Sequence, residues 1–287
     1  MIAAAALPEP QDLATASPMT DTPALAERYR RDGFAGPIRI VPPERSGELQ
    51  AMFEAYEAHS LAARGRTSHI KPHLVDPAFA KLVLSPAGKA AARAVLGPEI
   101  LLWSTGFFIK SAGAGRFVSW HQDAWDWGLT PHLGIATLWL ALSPSTVKSG
   151  AVRFVRGSHT RGLVRHEETF GANNILSLGQ SIPVNEDAED IADVELQPGE
   201  ASLHNGLTIH GGGPNRSSRD RIGLTMTFIR ADAVQHKGRD LVTAVDGCRP
   251  DRFDYESLPV ERFGPAEIAM LEESLRRPSG FGDMTVK

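Results

Sequence analysis

Cysteine is nearly missing from this chain. Cys248 stands alone among 287 residues, so no internal disulfide can form and a cysteine-cluster metal site is ruled out. A lone thiol suits a reducing compartment, and the expected location is the cytoplasm. Long apolar runs are missing as well: no window approaches the roughly 18 residues that a membrane helix needs. Charge of one sign is also scarce. The net charge is -4 with no long basic run, which argues against nucleic acid and anionic membranes as partners. What is present is ordinary for a globular chain, 42% hydrophobic against 22% charged, with length enough for a substantial core. Met1 to Pro18 is rich in Ala and Pro but has neither a basic start nor an apolar core. Residues 1–20 therefore read as a disordered leader rather than a signal peptide, and 21–287 as one domain.

The texture changes part-way along. Helices are predicted over Thr22 to Asp32, from about Pro43 to Ala62, through much of Pro77 to Leu96, and near the end over Pro265 to Arg277. From Ile100 the pattern turns to short aliphatic and aromatic runs: Ile100–Lys110, Arg116–Asp123, Gly134–Leu142, Ala151–Arg156, Ala192–Leu196, Ala201–His204 and Ile222–Arg230. Glycine and proline turns separate them. Many short strands after a helical start predict a mainly β fold with flanking helices, a sandwich or barrel. The aperiodic stretch His166–Val184 reads as a candidate lid.

The chemistry starts at Trp120-His121-Gln122-Asp123-Ala124-Trp125. On an extended segment, side chains alternate, so His121 and Asp123 share a face. One further imidazole would complete a 2-His-1-carboxylate facial triad of the kind that binds Fe(II) and leaves three positions free. Two histidines near strand ends can supply it, His204 in Leu203-His204-Asn205 and His210 in Ile209-His210-Gly211-Gly212. The glycines after His210 permit a close backbone approach. Arg221 follows eleven positions later (221 − 210) and could hold a carboxylate bidentately. Together with Phe107-Phe108-Ile109-Lys110, Pro144-Ser145, Arg156-Gly157-Ser158-His159, Pro198-Gly199-Glu200 and Pro214-Asn215, this ordered set resembles the phytanoyl-CoA dioxygenase-like family of Fe(II)/2-oxoglutarate oxygenases. The resemblance spans roughly Leu25 to Gln235.

The resemblance implies a double-stranded β-helix core (jelly-roll, cupin-type). It implies that His121, Asp123 and His210 bind Fe(II) and that Arg221 grips the distal carboxylate of 2-oxoglutarate. It further implies that O2 and 2-oxoglutarate are consumed to succinate and carbon dioxide while a substrate C–H bond is hydroxylated. Many relatives carry a serine two positions after the distal histidine; here Gly212 stands there, so Thr225 or Thr137 is a candidate for the missing hydroxyl. Asp123 fills the place that a halide takes in halogenating relatives, which favours oxygenation. Lys110 is a candidate for the cosubstrate pocket, or a plain strand lysine. Phe107, Gln122, Trp125 and Trp127 are candidates for substrate contact. Arg153, Arg156, Arg161 and Arg165 could bind an anionic substrate, or form a solvated rim. The expected substrate is a small organic molecule, a natural-product intermediate first and a small anion such as a phosphonate second. Desaturation, epoxidation or ring formation are alternative outcomes of the same chemistry. The rival of another class is a metal-binding isomerase or sensor that uses no 2-oxoglutarate and has no evident need of Arg221.

Overall fold

A computed structural model describes residues 22–277 apart from 170, 172, 177 and 178. The leader expected over residues 1–20 lies outside the described residues. The helices come first: α1 (Thr22–Asp32), then strand β1 (Phe34–Arg39), α2 (Glu48–Arg64), α3 (Pro77–Val83) and α4 (Pro86–Leu96). The stretch expected to be helical over Pro77–Leu96 is thus broken in two. The Asp76 carboxylate accepts from the Ala78 amide to cap α3, the Ser85 hydroxyl accepts from Gly88 to cap α4, and each cap is followed by proline at the first helical position. Pro86 has no N–H and crowds the preceding turn, so one helix must end before the next begins. α2 starts later than expected because Pro43–Arg45 is a 3-10 turn, and it closes at Gly65, whose left-handed φ of 67° suits glycine.

Strands dominate the rest. They are β2 (Ile100–Lys110), β3 (Val118–His121), β4 (Leu129–Thr130), β5 (Ile135–Ala141), β6 (Val152–Val155), β7 (Glu167–Glu168) and β8 (Gln180–Ser181). Then come β9 (Ile191–Val194), β10 (Glu200–Asn205), β11 (His210–Gly212), β12 (Arg221–Arg230), β13 (Val234–Gln235), β14 (Leu241–Ala244) and β15 (Asp254–Tyr255), before α5 (Pro265–Leu275). One sheet runs β1-β10-β5-β12-β2-β14-β15 and a second runs β3-β11-β6-β9. Within the two, only the β14–β15 pair is parallel. This interleaved antiparallel order is the expected jelly-roll core.

Alternation decides what each face of the large sheet meets. Ala136, Leu138 and Leu140 of β5, with Ile222, Leu224, Met226 and Phe228 of β12, pack under the helices against Leu25, Phe79 and Ala91. Each fully buried leucine or phenylalanine there contributes about 1.5–3 kcal/mol. The opposite parity faces the small sheet: Trp139 and Ala141 meet Phe154 of β6 and Val194 of β9. Further along that inner face stand Thr137, Thr225 and Thr227. The stretch expected as a lid contains the β7–β8 hairpin, tied to β3 where Ser119 Oγ donates to the Gln180 carbonyl at 2.5 Å.

A buried polar cluster closes the C-terminal end. Glu256 accepts from Lys71 Nζ, from Thr243 Oγ1 at 2.6 Å and from Ser274 Oγ of α5 at 3.1 Å. The His73 ring reaches Thr105 Oγ1 at 2.7 Å and Glu256 Oε2 at 3.3 Å. All six residues are buried. No helix among the described residues is long and apolar enough to cross a membrane.

Candidate metal centre

Between the two sheets lies a cavity of about 70 Å³, and the residues singled out by the sequence converge on it. His121 ends β3 and pairs directly with His210, which opens β11, leaving the two rings 4.1 Å apart. Gln122 is extended, with φ -117° and ψ 132°, so Asp123 returns to the side of His121 before a 3-10 turn carries the chain away. Gln122 itself faces elsewhere: its amide donates to the carbonyls of Gly162 at 2.8 Å and Leu207 at 2.7 Å and accepts from the Val164 amide. The ligand strand is clamped from behind. Gly211 suits the close approach of β11 to β3, because a Cβ there would lie 3.0 Å from the Val118 carbonyl.

The imidazoles are oriented for a metal. Nδ1 of His121 donates to the Ser119 carbonyl at 2.9 Å and Nδ1 of His210 to the Thr208 carbonyl at 3.0 Å, which turns both Nε2 lone pairs inward. They lie 3.5 and 3.6 Å from Asp123 Oδ1. At ligand bonds of about 2.1 Å, as in zinc sites, two atoms on a shared ion sit about 3–3.5 Å apart. Burial alone would raise the Asp123 carboxyl, but His210, His121 and His204 outweigh it and hold the group well below the ordinary carboxylate range. Burial, then the neighbouring rings of His121 and His204, push His210 well below the ordinary imidazole value. An ionised carboxylate and a neutral imidazole are the forms that bind a cation. Two imidazoles and one carboxylate on one face fit Fe(II). His204 is the neighbour, not a member, of this set: its Nε2 lies 3.2 Å from the other Asp123 oxygen, Oδ2, which also accepts from Thr137 Oγ1 at 2.8 Å.

The far end of the cavity is cationic. Arg221 opens β12 opposite Lys110, the last residue of β2. Arg221 is 2% exposed, donates from Nη1 to the Gly150 carbonyl at 3.0 Å, and lies over the Trp139 ring at 4.9 Å. Its Nε is buried with no partner, and among the described residues no carboxylate pairs with it. Burial pushes its guanidinium down to about 9. A buried, unpaired cation is costly unless an anion joins it, and one carboxylate of a keto acid fits that need. Lys110 Nζ donates to the carbonyls of Gly150, Gly212 and Gly213 at 3.0, 2.9 and 2.7 Å. Burial and then Arg221 push it down to about 6. A Cβ at Gly212 would lie 2.8 Å from the Ala151 carbonyl and 2.9 Å from that Nζ, so backbone and the Lys110 amino group occupy the space a serine would need. Behind Arg221, a Cβ at Gly223 would come within 1.9 Å of the Trp139 ring. The Thr225 hydroxyl lines the cavity and donates to the Gly106 carbonyl at 3.0 Å; that of Thr137 serves Asp123 instead.

Other expected positions divide. Trp127 lines the cavity, backed by Trp103 with ring centres 4.8 Å apart. Trp125 does not: β3 stops at His121, the 3-10 turn intervenes, and Trp125 stacks on His166 at 4.5 Å with 37% exposure. Phe107 also points away, into a ring cluster with Phe53, Tyr56 and Phe79 beneath the helices, and Phe108 lines the cavity in its place. Three of the four clustered arginines are neutralised: Arg153 by Glu186 and Asp193, Arg156 by Asp32 and Asp190, Arg161 by Glu189. Val118, Val152 and Thr227 are lining residues that sequence reasoning passed over. Alternation from Arg221 would have found Thr227.

The description of the phytanoyl-CoA dioxygenase (PhyH) family matches residues 29–223. The chain belongs to this family. Membership brings Fe(II) and 2-oxoglutarate as cofactors and makes the protein a dioxygenase. The chain is 30% identical over 220 residues to a probable alpha-ketoglutarate-dependent hypophosphite dioxygenase of Stutzerimonas stutzeri, covering 74% of this chain and 71% of that protein. It is 26% identical to the phytanoyl-CoA dioxygenase of Arabidopsis thaliana over 57% of this chain and 56% of that one. A solved non-heme monooxygenase, ThoJ, superposes with a TM-score of 0.78 at 29% identity, over 88% of this chain and 95% of ThoJ.

Proposed function

We propose that this phytanoyl-CoA dioxygenase family member hydroxylates a C–H bond of a small organic molecule, a natural-product intermediate, in the cytoplasm. His121, Asp123 and His210 hold Fe(II), and Arg221 binds the distal carboxylate of 2-oxoglutarate beside Lys110 and Thr225. The carrying observation is the Arg221 guanidinium, buried in the same cavity as the triad with its Nε unpartnered and no carboxylate beside it among the described residues. A metal isomerase or sensor has no use for such an anion receptor, whereas a keto acid needs one end anchored while the other meets the metal. When bound, Fe(II) and 2-oxoglutarate supply the oxidant, with succinate and carbon dioxide as products. The chain's own part is positional: the Nδ1 bonds fix the imidazoles, Arg221 and Lys110 fix the cosubstrate end, and Phe108, Val118 and Val152 keep water from the reacting space. Asp123 fills the position a halide would need, which supports oxygenation.

Aromatic and aliphatic walls at Trp127, Phe108, Val118 and Val152, with three of the four clustered arginines paired off, support an apolar substrate body. The hypophosphite dioxygenase relative favours a second reading, a small phosphorus oxyanion. Succinate release from 2-oxoglutarate with Fe(II) and O2 tests both. Stimulation by apolar ring compounds supports the first reading, and stimulation by hypophosphite or a phosphonate alone replaces it with the second. Metal binding without any 2-oxoglutarate affinity would sink both.

A further inference from the structure

The two oxygens of Asp123 have unlike surroundings. Oδ1 is the one that faces Nε2 of His121 and His210, at 3.5 and 3.6 Å. Oδ2 is held by Thr137 Oγ1 at 2.8 Å and His204 Nε2 at 3.2 Å. Both partners come from one cross-strand pair, since His204 of β10 stands directly opposite Thr137 of β5. A carboxylate can only accept, so the His204 proton sits on Nε2. Nδ1 of the same ring is buried and has no partner. Buried polar atoms are almost always paired, so this imidazole is retained, at a cost on one nitrogen, for the bond made by the other.

The consequence concerns coordination number. Three protein atoms leave three of six positions at a metal, enough for a chelating keto acid and O2. If Asp123 bound through both oxygens, one of those positions would be lost. With two donors occupying its lone pairs, Oδ2 is unavailable to the metal. We propose that His204, acting with Thr137, is a positioning residue that keeps Asp123 a one-oxygen ligand and thereby holds a coordination position open. This rests on the Fe(II)/2-oxoglutarate reading above.

Co(II) in place of Fe(II) supplies the test in the full-length protein, because its visible absorption responds to which atoms bind it and in what geometry. His204→Leu is expected to keep Co(II) with an affinity at most about ten- to hundredfold weaker, the usual range for an outer-shell partner, to show an altered visible spectrum, and to bind 2-oxoglutarate less tightly than wild type. Thr137→Val should move both readouts the same way by less. His204→Asn, which keeps an N–H donor, should recover most of each. Wild-type absorption and 2-oxoglutarate affinity in His204→Leu would overturn the proposal. Loss of Co(II) as complete as in His210→Ala would overturn it too, by making His204 a ligand. If His204→Leu does not fold, Thr137→Val and His204→Asn decide: an unchanged spectrum in Thr137→Val overturns the proposal. If wild type binds Co(II) but not 2-oxoglutarate, the functional reading fails, and the Co(II) spectra alone still decide the role of His204.

Discussion

The protein buries two clusters of ionisable groups, and one is finished while the other is not. Around Glu256 the account closes: Lys71 and His73 face the carboxylate, and Thr243 and Ser274 donate to its oxygens. In the barrel, Arg221 has no carboxylate among the described residues, its Nε has no partner, and two imidazole Nε2 atoms converge on a shared space. Buried charge that is already paired explains itself as structure. Buried charge that is left open calls for something from outside, and the barrel cluster has a cavity beside it.

A pair of deletions should separate the two. Asp123→Ala is expected to drop succinate release to background, yet to lower stability by only about 1–3 kcal/mol, because it strands neutral polar groups. Glu256→Ala leaves the Lys71 ammonium buried without a counter-charge and should cost about 3–5 kcal/mol, measured by denaturant unfolding. The turnover of the molecules that stay folded should change little. Background activity in folded Glu256→Ala would erase the contrast.

Acid provides the next largest effect. Burial pushes the Glu256 carboxyl up, but Lys71 and His73 outweigh it and hold the group at about 2, below its ordinary 4.5. A depressed carboxylate stabilises the fold above about pH 4.5, and that stabilisation is lost as pH falls from there towards about 2. The shift corresponds to on the order of 3 kcal/mol. Burial also lowers His73, which adds loss in the same direction once the unfolded chain begins to take up a proton below about 6.5. The midpoint of wild-type unfolding should therefore fall steeply below pH 4.5, and that of Glu256→Gln should fall less.

Arg221→Met sharpens the contrast from the open side. It should raise the 2-oxoglutarate concentration needed for half-maximal turnover about ten- to hundredfold, the worth of about 1.5–3 kcal/mol for a charged hydrogen bond. Without metal or cosubstrate, the variant should be as stable as wild type or more so, since a buried unpaired cation has gone. A clear loss of stability would mean that Arg221 is structural. The smallest effect belongs to the rim: Arg161→Ala removes an exposed pair with Glu189 and should cost less than about 1 kcal/mol without altering the substrate KM.

How much of this was legible beforehand depended on how local the signal was. His121 and Asp123 sit two apart on extended chain, so that pair could be read from residues alone. His204 and His210 both stood open as the third partner until the Arg221 spacing and the family resemblance favoured His210. Phe107 could not be read that way. Ile100 and Leu102 face the helices, and strict alternation from them puts Phe107 inside, but a register shift between Thr227 and Phe228 of β12 skips Trp103 and reverses the parity of β2. That reversal sends Phe108 and Lys110 inward. The Glu256 cluster was invisible for another reason: its members are scattered from Lys71 to Ser274 with no motif, and only the folded chain brings them together. β11 was too short and glycine-rich to register as a strand.

Gly223 carries a practical consequence. The Trp139 ring fills the space where its side chain would be, and that ring is the floor beneath the Arg221 guanidinium. The width of the cavity beside Arg221 is thus gauged by a residue with no functional group. Adding one methyl at Gly223 would displace the indole and, if Arg221 seats the acid as proposed, narrow that seat, a mechanical dial for choosing among keto acids of different length.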